Sequence, residues 1–429
     1  MRRGLWKICL AALACLLTGC SLTSTPSVEE LLRAPQLSGQ HSQVQKALDS
    51  YLGESAQLKY PTSGQGLSPF VFGDLDGDGV EDAAVLYTST AKGQNVHVAI
   101  LEQTDSGWTV TQEQEGLSTE VDSVSLASLQ EGSSAQQLVV GYASPQGDQY
   151  LAVYAYQDST LSCVLQEAYS RYLVADITGR GVEDLVVVAP VAEGGLRLKL
   201  LTAGPNGFTI GQELLTDSRF VDCASLQISR GSDGGHYLVM DGLIGSSGSY
   251  MASCLFRCDA AGRQLEPVPE PGGVDLYTAS LRYYGSLYSM DINNDGMVEI
   301  PTQVQDDSLG ITSLVQEHRL SFVAWNSYTS QRSRQVSFGV LDEEYGYYLP
   351  VPFSLRGQIS LCDSGTDGWE IRDLTGDTLY LRVRVAPLTT SLVGYTRIAT
   401  VGSQQVGARL GPDSQVFSLE SLAKRTLVL

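Results

Sequence analysis

The chain is poor in the residues that most hydrolases and transferases display. It has four histidines in 429 residues, His41, His97, His236 and His318, and none lies in a His-Glu-x-x-His or His-x-x-Glu-His pairing. A zinc hydrolase of that kind is therefore unsupported. There is no Gly-x-Ser-x-Gly elbow and no phosphate-cradling Gly-Lys-Ser/Thr loop, and the serines of the Gly245–Tyr250 turn have no neighbouring base. Beyond residue 20 no stretch of 18 uninterrupted apolar residues occurs, so nothing there reads as a spanning helix. Cysteine is sparse. Cys163, Cys223, Cys254, Cys258 and Cys362 do not form a dense disulfide framework. Cys254 and Cys258 would lie about 13 Å apart along a strand, too far to bridge. Positive charge is also scarce, with 27 basic residues against 48 acidic ones and a formal net charge of −21. That balance argues against nucleic acid or anionic lipid as the main partner.

The N-terminus carries an address. Arg2, Arg3 and Lys7 precede an apolar run from Ile8 to Leu17, which ends in Leu17-Thr18-Gly19-Cys20. This resembles the bacterial lipoprotein processing box. The resemblance implies removal of residues 1–19 as a signal peptide, lipidation of Cys20, and a protein held at the extracytoplasmic face of the cell membrane by its lipid alone. Cleavage there removes three basic residues and no acidic ones, leaving 24 against 48 and a mature charge of −24. Residues 20–56 then read as a tether with an amphipathic helix over 41–52, where Val44, Leu48 and Leu52 fall on one face and Gly53 closes the helix.

What the chain has in quantity is short apolar runs separated by Gly, Asp, Ser and Pro. Between two such runs stands Asp74-Leu-Asp76-Gly-Asp78-Gly-Val80-Glu-Asp82. Oxygens at positions 1, 3, 5 and 9, with a backbone carbonyl at position 7, suit a hard cation such as calcium, which takes six to eight oxygen ligands. Related loops follow as Asp176-Ile-Thr178-Gly-Arg180-Gly-Val-Glu-Asp184 and Asp291-Ile-Asn293-Asn-Asp295-Gly-Met297-Val-Glu299. Two degenerate loops in the same frame begin at Ser128 and Ser225, giving spacings of 54, 48, 49 and 66 residues. Periods of about 40–55 residues with four strands each read as propeller blades. The fifth unit is expected to place strands at 286–290, 298–304, 313–326 and 332–340.

The repeated loop, with Phe72-Gly73 leading into Asp74, resembles the FG-GAP and VCBS repeats. That resemblance covers about residues 60–340 and implies a calcium-binding β-propeller like the integrin alpha-chain head. The expected fold is all-β. A propeller of about five, up to seven, four-stranded blades spans 57–340, and a small β-rich or α+β domain spans 341–429. About two structural calcium ions are expected. One would be held by Asp74, Asp76, Asp78, Asp82 and the Val80 carbonyl, the other by Asp291, Asn293, Asp295, Glu299 and the Met297 carbonyl. The third loop is expected to be metal-free, because the Arg180 guanidinium would repel a divalent cation and pair with Asp176 and Asp184 beside Thr178. No catalytic residue is assigned. The sequence reading is a monomeric, non-catalytic binding or scaffold module for protein or carbohydrate, with no nucleic-acid partner. Its alternative is a polysaccharide-acting enzyme with carboxylates in the propeller's central cleft.

Overall fold

The computed structural model describes residues 39–429 except 65, 206, 246–247, 260–263, 284–286, 305–319, 365–367 and 413. The leader, Cys20 and the first part of the strand expected over 313–326 lie outside the described residues.

Helix α1 (Gly39–Leu52) buries Val44 and Leu48, and Gly53 ends it at φ +72°. Six antiparallel sheets follow. The first holds β1 (Gln57–Leu58), β2 (Phe70–Gly73), β3 (Asp82–Thr88), β4 (His97–Thr104) and β5 (Gly107–Glu115). The second is β6 (Glu120–Ala127), β7 (Gln137–Ala143), β8 (Gln149–Gln157) and β9 (Thr160–Ala168). The third is β10 (Arg171–Ala175), β11 (Asp184–Pro190), β12 (Leu196–Gly204) and β13 (Gly207–Leu215). The fourth is β14 (Phe220–Arg230), β15 (His236–Ile244), β16 (Tyr250–Asp259) and β17 (Gln264–Pro267). After helix α2 (Leu276–Ser280), the fifth holds β18 (Glu299–Gln303), β19 (Leu320–Tyr328), β20 (Ser333–Asp342) and β21 (Tyr347–Pro350). The sixth holds β22 (Ile359–Asp363), β23 (Gly368–Asp373), β24 (Leu379–Pro387), β25 (Thr396–Val401) and β26 (Gln404–Leu410). Helix α3 (Leu419–Arg425) and β27 (Leu427–Val428) close the chain, with β27 pairing back onto β21.

The protein is an all-β propeller of four-stranded meanders. Its cores lie between successive sheets. Leu86, Val98, Val140 and Tyr154 fill the first gap, Val139, Val153, Val187 and Leu201 the second, and Val188, Leu198, Leu238 and Phe256 the third. A second strand is thus covered on both faces. All seven residues of β3 are buried, and the same strand in the third sheet, β11, is buried except for Pro190. This is why Ala83-Ala-Val-Leu86 and Leu185-Val-Val-Val188 are continuous apolar runs rather than alternating ones. Inner strands differ. All of β10 is half-buried or exposed, because one face looks onto the propeller axis.

Three expectations need correction. The inner strand expected at 286–290 of the fifth unit is not found over the described residues 287–290, where Met290 alone bridges Glu299. In its place Arg282 holds an irregular segment, described in the Discussion. The fourth degenerate loop is absent: Ser225 lies inside β14, and the chain turns tightly at 231–235. The boundary expected at 340 falls inside the fifth sheet, since β20 runs to Asp342 and β21 follows it. The fifth and sixth sheets share one core, including Phe322, Phe338, Trp369, Ile371 and Val383.

Candidate functional site: loop ring and axial cleft

The three acidic loops fold alike. In each, the first aspartate accepts at least two backbone N–H groups. Asp74 takes those of Gly77 and Gly79 (2.7 and 3.0 Å), Asp176 those of Arg180 and Gly181 (2.8 and 2.9 Å), and Asp291 those of Asp295 and Gly296 (3.1 and 2.8 Å). The ninth position reaches back. Asp82 accepts from Leu75 N–H (2.9 Å), Asp184 from Thr178 N–H (3.0 Å) and Glu299 from Ile292 N–H (3.0 Å). Positions 4 and 6 take positive φ: Gly77 and Gly79 at +87° and +85°, Asn294 and Gly296 at +59° and +86°. A side chain with a Cβ is disfavoured there, and asparagine is among the best-tolerated exceptions. Position 7 closes the turn in the first and fifth loops, with Val80 N–H donating to Asp78 (2.7 Å) and Met297 N–H to Asp295 (2.9 Å).

Carboxylate oxygens of Asp74, Asp76 and Asp78 lie within 4.8 Å of one another. Behind them Asp82 is buried, and its carboxyl is pushed up to about 6 by burial, reinforced by the charges of Asp76 and Asp78. Glu299 is fully buried, and its Oε1 has no hydrogen-bond partner. Burial first, and Asp295 and Asp291 next, raise it to about 7. Buried carboxylates crowded by like charges and holding an orphaned oxygen fit a hard divalent cation.

The third loop carries its own cation. Arg180 Nη2 donates to the fully buried Asp184 (2.9 Å) and Nε to Thr178 Oγ1 (2.9 Å), while Nη1 pairs with Glu131 of the neighbouring blade. The expected side-chain pair with Asp176 does not form: the guanidinium turns to Asp184, Thr178 and Glu131, and Asp176 accepts the backbone N–H groups of Arg180 and Gly181. Glu131 belongs to the degenerate second loop, so that loop has kept an acid for its neighbour's arginine. In the second loop the ninth-position role falls to Gln137, one residue later than the spacing suggested, and its amide accepts Leu129 N–H (2.8 Å).

Along the inner strands lies a cleft of about 650 Å³, lined by Ser63, β6, β10, Glu183 of the third loop and Asp222. Asp122 is fixed there by hydroxyls: Ser63 Oγ donates to Oδ1 (2.9 Å), and Tyr169 (2.7 Å) and Ser123 (3.3 Å) donate to Oδ2. Burial, and then Asp122 itself, push the Tyr169 phenol well above its usual range, so it stays a donor. Tyr172 packs edge-on against Tyr169 and donates to Ser123 (3.1 Å). Asp222 accepts its neighbour's Cys223 N–H (2.7 Å), and Arg171 Nε reaches the Cys223 carbonyl (3.5 Å).

The two aspartates were not singled out from the sequence, yet a signal exists. Val121-Asp122-Ser-Val-Ser-Leu126 and Val221-Asp222-Cys-Ala-Ser-Leu226 share a pattern one hundred residues apart. Both sit at β-bulges, where the register slips between Val121 and Ser123 and between Phe220 and Asp222. A bulge re-aims a side chain, here on the strands that line the axis.

No protein-family model matches the chain, and no curated protein matches it. Solved structures do. A variant of B. megaterium levansucrase aligns at 11% identity and a TM-score of 0.25, over 70% of this chain and 92% of that one. Bacillus subtilis levansucrase aligns at 10% and 0.24, over 71% and 92%. A variant of the latter in complex with oligosaccharides aligns at 10% and 0.24, over 66% and 86%. So loose a superposition brings no residue roles or substrate to this chain. The expectation of a non-catalytic binding or scaffold module is corrected at the cleft, which holds Asp122, Glu183 and Asp222 where that reading assigned no catalytic residue.

Proposed function

We propose that the protein is a glycan-acting enzyme working in the axial cleft. The observation that carries this is the repeated Val-Asp bulge, which brings Asp122 and Asp222 to one 650 Å³ space beside Arg171 and two tyrosines. Ligand sites commonly measure about 300–1,000 Å³, so a sugar unit fits. Glycosidic-bond chemistry needs two carboxyl groups, one to protonate the leaving oxygen and one to attack or to activate the attacking group. Asp122, oriented by three hydroxyls, suits the fixed anionic role. Asp222, with one oxygen left to the cleft, suits proton transfer. A panel of oligo- and polysaccharides, assayed by released reducing ends and by chromatography of transfer products, tests the reading. No turnover of any member, or turnover surviving in Asp122→Asn/Asp222→Asn, overturns it.

The first and fifth loops are assigned calcium, supported by their oxygen sets and by the orphaned Glu299 Oε1. The ions would staple inner strand to second strand. Without calcium, Asp82 and Glu299 bind protons more tightly folded than unfolded. Their contribution is therefore present below the unfolded values and lost as pH rises through about 6 and 7. Melting in chelator should fall as pH rises from about 5 to 8, and calcium should remove most of that fall. Asp342, raised to about 6 by burial, supplies a remainder that calcium does not reach. Indifference of melting to calcium at pH 8 would count against both sites.

Arg180→Asp should complete the oxygen set of the third loop beside Asp176, Thr178 and Asp184. Calorimetric stoichiometry is expected to rise by about one ion; an unchanged value would show that the loop lacks more than its fifth ligand. The tether and the lipid on Cys20 complete the proposal, supported by the Leu17-Thr18-Gly19-Cys20 box.

A further inference from the structure

The acidity of the chain is unevenly spread. Residues 353–429 hold eight of the 27 basic residues but only seven of the 48 acidic ones. Register puts most of those cations on one side. The inward face of the sixth sheet carries Leu361, Ile371, Val383, Val406 and their neighbours. The outward rows carry Arg372, Arg382, Arg384, Arg397 and Arg409. Buried Glu370 takes up two of these, Arg372 (2.7 Å) and Arg382. Arg384, Arg397 and Arg409 remain, and they surround one loop.

That loop, 388–395, joins β24 to β25 and must cross β26, because β26 lies between them in the sheet. It crosses at Gly407, where an added Cβ would lie 2.7 Å from Leu392 Cδ1 and 3.0 Å from Tyr395 Cβ. Gly407 is flanked in register by Arg384 and Arg397. Arg409 Nη1 lies 4.0 Å from the Cβ position of Gly394. Arg384 Nε is buried without a hydrogen-bond partner. At the crest, Val393 is 86% exposed, the highest value for a large apolar side chain among the described residues, and Leu388 is 46% exposed.

We propose that this face docks on an anionic lipid bilayer. Val393 and Leu388 enter the headgroup–acyl boundary while Arg384, Arg397 and Arg409 pair with lipid phosphates. A hydrated polyanion would use the arginines but gain nothing from the apolar crest, which favours a surface with an apolar interior. Three cations and two side chains give a weak, reversible contact. It matters where a tether already holds the chain near the membrane. The strongly acidic remainder is repelled by the same surface, so the contact also sets orientation.

The test uses the chain from residue 21 onward, which lacks Cys20 and keeps every described residue. Co-sedimentation with phosphatidylglycerol/phosphatidylcholine vesicles is compared with phosphatidylcholine alone, at low and high salt. Binding to the anionic vesicles should exceed that to neutral ones by about tenfold or more and fall with salt. Val393→Asp, and separately the triple change Arg384→Gln, Arg397→Gln, Arg409→Gln, should each lower it by about tenfold with melting unchanged. Equal or absent binding to both vesicles overturns the proposal. So does binding untouched by Val393→Asp and competed by inorganic polyphosphate, which would make the face a soluble-anion site.

Discussion

Asp222→Asn is expected to lower turnover of the glycan substrate by about 10³-fold, with KM changed by less than about fivefold. The amide keeps the shape and still accepts the Cys223 N–H, but it cannot carry a proton between substrate and solvent. The effect should therefore fall on the chemical step. Asp122→Asn should be comparably severe, because the anion that stabilises developing positive charge on the sugar is lost. Tyr169→Phe removes one of three hydroxyls holding Asp122 and should cost only about tenfold. This gradation separates a catalytic pair from two aspartates that merely stabilise bulges. In the bulge case, melting temperature would fall with activity and the tyrosine variant would not be intermediate. Wild-type turnover in Asp222→Asn with an unchanged melt would remove Asp222 from the reaction.

Arg282→Met should destabilise the protein by about 3–5 kcal/mol, a drop in melting temperature on the order of 5–10 °C. Arg282 and Asp241 are both fully buried and paired at 2.8 Å. The guanidinium also donates to the carbonyls of Leu287 (2.7 Å) and Ser280 (2.8 Å) and to Ser253 Oγ (3.0 Å). Asp241 in turn accepts from Ser289 N–H and Oγ, both at 2.7 Å. Methionine has nearly the right length, so the loss comes mainly from Asp241, left charged and without its counter-ion in the interior. Asp241→Asn added to Arg282→Met should recover part of the stability, since an amide tolerates that site better than a lone carboxylate. Additive losses would mean that the two residues do not act as a unit.

The same network explains where reading from sequence fails. Blades one to four were legible because their second strands, such as Ala83–Leu86 and Leu185–Val188, are buried on both faces and stand out as apolar blocks between glycine-rich turns. The fifth inner strand was misplaced at 286–290. There the backbone is held largely by side chains, with Leu287 C=O taken by Arg282, Ser289 N–H by Asp241 and Ser289 C=O by Gln227, and side-chain partners leave no periodicity in the sequence. The loops were legible from their oxygen spacing. Of Arg180's partners, Asp184 is legible from the loop spacing and Glu131 is not, since it lies 49 residues away and is close only through blade packing. Asp122 and Asp222 are not legible from the acidic-loop repeat, because the blades that hold them lack its cation-type oxygen set.

That division of labour has an evolutionary consequence. Cation-type loops occupy blades one, three and five, while the Val-Asp bulges occupy blades two and four. Over blades one to four the blade-pair spacing is near one hundred residues, 102 from Asp74 to Asp176 and 100 from Asp122 to Asp222. The repeating unit of blades one to four is thus a two-blade cassette, one member carrying the acidic loop and the other the cleft acid. The fifth blade stands without an even companion of that kind, and the departures from the pattern begin there, with no inner strand over the described residues 287–290 and a sixth sheet of different topology. Lengthening or shortening this protein in register should succeed by whole cassettes and fail by single blades.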